Sequence, residues 1–67
     1  MDGWQRIYSS GNLQYVSLLK HLLESNEIAA LILSKQDSAY LFGDHELHVK
    51  AEDVIKAVRL IEKHERE

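Results

Sequence analysis

The chain contains no cysteine and no proline. The absence of cysteine excludes disulfide bridges, thiolate zinc sites and cysteine nucleophiles, and it fits a reducing compartment such as the cytoplasm. In a chain of 67 residues, the packing of apolar side chains must therefore provide the stability. Because so small a core gains little more than the ordering entropy that it must offset, association through a shared apolar surface is favoured. We therefore expect a homodimer.

Clustered positive charge and long apolar runs are also missing. The formal net charge of -3 disfavours nucleic acid as a partner, since such binding depends on clustered Lys and Arg side chains. No apolar stretch approaches the roughly 20 residues that span a bilayer, and residues 1–7 lack the basic and apolar parts of an export signal. We expect a cytoplasmic chain without a membrane partner. Residues 1–67, which contain no repeat or proline-rich linker, are predicted to form a single domain with a frayed end at 64–67.

The first predicted element is a strand over residues 4–9. This segment is rich in aromatic and β-branched side chains, and its alternation suits a strand with unlike faces. The alternation places Trp4, Arg6 and Tyr8 on one face. Since Trp and Tyr are enriched at interfaces, we interpret these three residues as a core patch or a dimer contact.

The spacing of apolar residues predicts a helix over residues 13–25. Asn12 precedes it as the N-cap, because its side-chain oxygen can accept from the free N–H groups of the first turn. At the other end, Asn26 is predicted to adopt the left-handed conformation that ends helices when glycine is absent.

Two further strands and a second helix follow. Residues 28–33 are an apolar run of strand length, so we expect helices to cover one face of this strand and a second subunit the other. Leu47 and Val49 alternate with polar residues in a third, half-buried strand. A second helix begins near Glu52. Its predicted buried stripe consists of Val54, Ala57, Val58 and Ile61.

The order β-α-β-β-α predicts an α+β domain, laid out as a ferredoxin-like fold that lacks its last strand. We expect a three-stranded antiparallel sheet in the order 1-3-2, with two helices on one face. A right-handed crossover makes strands 1 and 2 parallel to each other and separates them by strand 3. In this order strand 1 keeps an open outer edge, which invites strand addition from a partner or a second copy.

Features along nearly the whole chain resemble one family. They are the strand at 4–8, the helix at 18–24, the segment 34–40 and the helix at 53–57. On these segments the chain resembles the small bacterial domains called putative prokaryotic signal transducing proteins, whose function is not established. Members usually carry glycine after the first helix, where this chain has Ser25, Asn26 and Glu27. The resemblance implies a ferredoxin-like fold, related in shape to small-molecule sensing and regulatory domains, and it implies no reaction.

The histidines and carboxylates do not form a recognisable chemical site. His45 and His48 lie three residues apart on a predicted strand and so point to opposite faces. His48 shares a face with Glu46, but two ligands hold a metal weakly. No nucleophile elbow, phosphate-binding loop or dinucleotide fingerprint is present, and turn formation explains Asp37 and Asp44. We therefore predict no metal, no cofactor and no enzymatic activity.

The densest polar segment lies between the second and third strands. Lys35 suits an anion, and its neighbours suit hydrogen bonds to a polar small molecule. The predicted ligand-binding residues are Lys35, Gln36, Asp37, Ser38 and Tyr40. The simpler interpretation is a structured hairpin in which Asp37 and Ser38 cap the turn, while Tyr40 and Phe42 cover a sheet edge.

Three functional hypotheses remain open. The leading one is a non-enzymatic regulatory or interaction module, homodimeric through the edge of strand 1 or the exposed sheet face, with residues 35–40 as a site for a small ligand or a protein. The first alternative is a single-stranded nucleic-acid-binding domain, because Trp4, Arg6 and Tyr8 resemble an aromatic platform for RNA bases. The acidic charge opposes it. The second alternative is a small accessory enzyme domain.

Overall fold

A computed structural model describes residues 2–34 and 45–67. The elements are strand β1 (Trp4–Ser10), helix α1 (Leu13–Glu24), strand β2 (Ala30–Ser34), strand β3 (His45–Lys50), a 3-10 turn (Ala51–Asp53) and helix α2 (Val54–Arg66). The predicted order β-α-β-β-α is therefore confirmed. No helix in these two ranges combines the length and the apolar character that crossing a bilayer requires.

The three strands form one sheet in the order β1-β3-β2, as predicted. β3 lies in the middle and pairs antiparallel with both outer strands. Leu47 of β3 lies opposite Tyr8 on one side and Ile32 on the other. Because cross-strand neighbours share a face, such rows decide which side chains enter the core and which remain outside.

Strand β1 departs from simple alternation. Its register shifts between Arg6 and Tyr8, which leaves Ile7 as the extra residue of a β-bulge opposite Leu47. Ile7 and Tyr8 both pack against the core. The prediction that Trp4, Arg6 and Tyr8 share one face is therefore wrong, because the bulge turns Tyr8 toward the helices while Arg6 stays on the opposite side of the sheet.

Helix α1 begins as its sequence predicts. The Oδ1 atom of Asn12 accepts a hydrogen bond of 3.1 Å from the backbone N–H of Tyr15, which confirms the N-cap. The side chains of Val16, Leu19 and Leu23 are buried on the inner side of the helix. This spacing is what the predicted apolar stripe requires.

The C-terminal end of α1 is built differently from the prediction. Asn26 does not adopt the left-handed conformation, since its side chain donates a hydrogen bond of 2.9 Å to the carbonyl of Leu22 and the helical turn continues. Glu27 takes the left-handed position, with φ of 64°. The N–H of Ile28 then donates to the carbonyl of Leu23 at 3.0 Å, which is the closing bond of a Schellman motif.

The hydrophobic core lies between the sheet and the two helices. Nine apolar residues of the described ranges are buried: Val16, Leu19, Leu23, Ile28, Ala30, Leu47, Val49, Ala57 and Ile61. Both residues predicted to be buried on the third strand are among them. Of the predicted stripe on α2, Ala57 and Ile61 are buried, and Val54 and Val58 are half-buried. Since α1 and α2 contribute to the same cluster, both helices cover one face of the sheet.

Candidate functional site

The face of the sheet turned away from the helices is the candidate site. The strand register places eight side chains on this open face. They are Trp4, Arg6, Ser9, Leu31, Leu33, Glu46, His48 and Lys50. β1 and β3 contribute the polar half of the open face, and Leu31 and Leu33 of β2 form the leucine half.

Glu46 contacts a basic side chain on either side at the centre of the polar half. Its Oε2 atom lies 3.2 Å from Nη1 of Arg6, and its Oε1 atom lies 3.2 Å from Nε2 of His48. The side chains of Glu46 and His48 are only 13% and 15% exposed, whereas the side chain of Arg6 is 59% exposed. The shielded carboxylate therefore orients an arginine whose guanidinium remains accessible.

The neighbours of Arg6 extend this surface along the sheet. Trp4, which is half-buried, lies opposite the exposed Lys50 across β1 and β3. A guanidinium presents N–H donors in a planar fork that matches a carboxylate or a phosphate, and an indole ring offers apolar contact. The polar half therefore suits a ligand that combines an anionic group with an apolar part.

The leucine half exposes apolar side chains beside the outer edge of the sheet. Leu31 is 36% exposed and Leu33 is 40% exposed. The alternate residues Ala30 and Ile32 face the core, so the two sides of the predicted apolar strand have different surroundings. Exposed apolar side chains at a sheet edge are typical of contact surfaces.

A separate group of side chains, which we call the tyrosine cluster, lies on the helix side of the sheet and consists of Tyr8, Tyr15 and Glu65. The O–H of Tyr15 donates a hydrogen bond of 2.9 Å to Oε2 of Glu65, and the ring of Tyr15 lies 5.8 Å from that of Tyr8. This hydrogen bond raises the pKa of Tyr15, while burial and the charge of Glu65 raise the pKa of Tyr8. Because Glu65 belongs to the last turn of α2, the cluster fastens this turn to α1 and β1.

The described histidines do not gather into a metal site. Nδ1 of His45 lies 2.8 Å from Oγ of Ser34, whereas His48 contacts Glu46 on the open face. This arrangement agrees with the prediction that the two histidines of β3 point to opposite faces. Within residues 2–34 and 45–67, no group of three or more His, Cys, Asp or Glu side chains could hold a metal ion.

The two sets of predicted site residues have different outcomes. The residues predicted to bind a ligand lie outside the described ranges, so that assignment stays a prediction; they are Lys35, Gln36, Asp37, Ser38 and Tyr40. Of the residues predicted for an interface, Trp4 and Arg6 lie on the open face and Tyr8 lies in the tyrosine cluster.

Sequence reasoning missed the contact between Arg6 and Glu46. The two residues are 40 positions apart, and their meeting depends on the register across β1 and β3. One signal was present, because alternation alone puts Glu46 and His48 on the same face of their strand. The missing information was the position of the bulge, which decides what lies opposite them.

One comparison with known proteins gives a match. The family model described as "Putative prokaryotic signal transducing protein" matches residues 4–65. The matched range begins with β1 and extends into the last turn of α2, so it contains all the residues of the open face. No curated protein and no solved structure matches the chain.

Proposed function

Because this chain belongs to the family of putative prokaryotic signal transducing proteins, we propose that it is a non-enzymatic regulatory or interaction module. The membership confirms the resemblance read from the sequence. It supports a small signalling or regulatory domain without naming a ligand. The polar half of the open face is the observation that carries the proposal further.

The polar half is the proposed binding surface, and an anionic small molecule with an apolar part is its proposed ligand. The whole chain has a formal charge of -3, yet this surface carries the cations Arg6 and Lys50. Glu46 pairs with Arg6, and Asp2 and Glu52 line a hollow together with Trp4 and Lys50. The guanidinium of Arg6 is 59% exposed, and its planar fork of N–H donors favours a carboxylate or phosphate group as the partner. Glu46, which His48 also contacts, orients Arg6 before the ligand arrives, and this reduces the entropy that binding must offset.

A thermal-shift screen tests this surface. The panel contains inorganic phosphate, nucleotides and carboxylate metabolites, and each compound is tested on the wild-type chain, on Arg6→Gln and on Arg59→Gln. Arg59 is an exposed arginine on α2 and serves as the matched control. A ligand of the polar half should raise the melting temperature of the wild type and of Arg59→Gln but not that of Arg6→Gln, since ligands stabilise the state that they bind.

Several outcomes would overturn the proposal. A stabilising compound that acts equally on Arg6→Gln binds elsewhere, and a panel without any stabilising compound removes the anionic small molecule as the ligand. Chemical turnover of a bound compound would contradict a non-enzymatic role. Quenching of Trp4 fluorescence by single-stranded RNA, weakening as salt rises, would instead favour the nucleic-acid hypothesis.

The proposed working unit is a homodimer. Only nine described residues form the buried apolar core, and leucines of β2 remain exposed beside it. A core of this size provides little net stability, so burying these leucines against a second copy of the chain would stabilise the fold. Light scattering at micromolar concentration should therefore give twice the chain mass of 7.7 kDa. A mass of one chain under these conditions would exclude the homodimer.

A further inference from the structure

The two outer strands differ in how well their free edges suit another strand. Among the described residues, β1 and β2 each pair only with β3. β1 carries a β-bulge at Ile7 and the charged residue Arg6, and both features discourage edge pairing. β2 has neither, because Ala30–Ser34 contains no charged residue and its register against β3 is continuous. The free edge of β2 is therefore better suited than that of β1 to pair with a strand of another chain.

The sequence of β2 is self-complementary about its centre. If two copies of β2 pair antiparallel with a two-fold axis at Ile32, each Leu31 lies opposite the other copy's Leu33. Both leucines are already exposed on the open face, at 36% and 40%. Pairing would unite four leucines in two adjacent cross-strand pairs, which are a favourable arrangement of apolar side chains on a sheet.

Helix α1 adds charge complementarity beside the same edge. Of the two helices, α1 is the one that packs against β2. Leu22 lies on the side of α1 that faces α2, because it shares a groove with Leu60. Lys20 and Glu24 lie on the other side of α1, 3.4 Å apart. A two-fold axis at β2 brings this side of α1 toward the same side of α1 in the second copy. Lys20 of each copy can then pair with Glu24 of the other.

We infer that the β2 edge is the homodimer interface, where a second copy of the chain adds its own β2 antiparallel about Ile32 to give one six-stranded sheet. The inference rests on the proposed homodimer and specifies its geometry. It also leaves the polar half of each open face outside the pairing, because Arg6 and His48 lie on β1 and β3. Two ligand sites would then share one continuous sheet face.

Charge substitution on β2 tests this interface. The double variant Leu31→Lys/Leu33→Lys places lysine opposite lysine twice in the proposed register, which is destabilising. We expect the dimer dissociation constant, measured by sedimentation, to rise at least about tenfold relative to the wild type. The control is the single variant Ile55→Lys, which puts a lysine in place of an apolar residue of α2 that is 71% exposed, and the dissociation constant of this variant should equal that of the wild type. Mixing the lysine variant with Leu31→Glu/Leu33→Glu should restore a mixed dimer.

The results distinguish failure of the homodimer from failure of the β2 edge as its interface. A wild-type chain that is monomeric overturns the homodimer and with it this interface. A wild-type dimer that persists in the double lysine variant overturns the β2 edge alone. Dissociation by Arg6→Glu without dissociation by the lysine variant would instead place the contact at β1 or on the polar half. Circular dichroism of each variant distinguishes dissociation from unfolding.

Disulfide capture tests the register without added charge. The chain has no cysteine of its own, so Leu31→Cys and Leu33→Cys introduce the only thiols. Cross-strand partners lie within the Cα separation of about 4.4–6.8 Å that a disulfide spans. Oxidation of an equal mixture should therefore yield mainly the mixed disulfide between the two variants. A yield dominated by either variant joined to itself would overturn the two-fold axis at Ile32.

Discussion

The backbone N–H of Ile28 donates a 3.0 Å hydrogen bond to the carbonyl of Leu23, and this bond ends helix α1. Both side chains are buried, at 1% and 0% exposure, so the turn that reverses the chain toward β2 is anchored in the core. The reversal requires a left-handed residue between the two, and Glu27 occupies that position.

Replacing Glu27 with glycine should stabilise the protein. A residue with a Cβ pays a steric penalty in the left-handed region that glycine avoids, so we expect Glu27→Gly to raise the free energy of unfolding by about 1 kcal/mol. Urea denaturation measures this change. The control is Glu27→Ala, which removes the carboxylate from the negative end of the helix dipole but keeps the Cβ. An equal gain in both variants would show that charge, and not backbone conformation, determines stability here.

The tyrosine cluster predicts a loss of stability in alkaline solution. The pKa of Tyr8 and Tyr15 is raised in the folded state above the ordinary value of 10.0. As the pH rises above this value, the two tyrosines lose their protons in the unfolded chain before they do so in the folded protein. Their contribution to the free energy of unfolding is therefore fully present below about pH 10, and it is lost as the pH rises through their pKa values in the folded protein. Urea midpoints measured across this range should show the decline.

Variants of the same cluster separate its causes. Tyr15→Phe removes one of the two titrating groups and should make the decline shallower. Glu65→Gln keeps a hydrogen-bond acceptor but removes the negative charge, and it should lower the pKa of both tyrosines toward the ordinary value. Ultraviolet difference spectroscopy of tyrosinate follows this shift directly. An unchanged titration in Glu65→Gln would contradict the assigned role of Glu65.

Two neighbouring leucines of α1 should respond very differently to the same substitution. Leu19 is fully buried and Leu18 is 46% exposed. Leu19→Ala should cost about 2–5 kcal/mol, because it removes buried methyl groups and leaves a cavity. Leu18→Ala should change stability by about 0.5 kcal/mol or less, as surface substitutions do. Chemical denaturation compares the two, and equal losses would show that the helix is packed in another orientation.

The ion pair between Arg6 and Glu46 should contribute little to stability. Arg6 is 59% exposed, so solvent screens the interaction, and a double-mutant cycle with Arg6→Gln and Glu46→Gln should give a coupling of about 0.2–1 kcal/mol. The pair of Lys20 and Glu24, four residues apart on α1, provides a reference of about 0.3–0.5 kcal/mol. A coupling well above 1 kcal/mol would mean that the pair serves folding more than ligand binding.

The amino-acid sequence by itself determined the elements and their order. Leu47 and Val49 had to enter the core because alternation on a strand is a property of the backbone, and Asn12 had to cap α1 because its oxygen is within reach of the first free N–H groups. Such features depend on residues close together in the chain. The family resemblance follows from the same local patterns, and the strand order β1-β3-β2 agrees with the order predicted from the succession of elements.

Tertiary structure decided everything that depends on distant partners. The bulge at Ile7 arises from pairing with β3, and only that pairing separates Tyr8 from Arg6 and brings Arg6 to Glu46 across 40 positions of sequence. Local propensity limits the choices at such positions, and long-range hydrogen bonding and packing select among them.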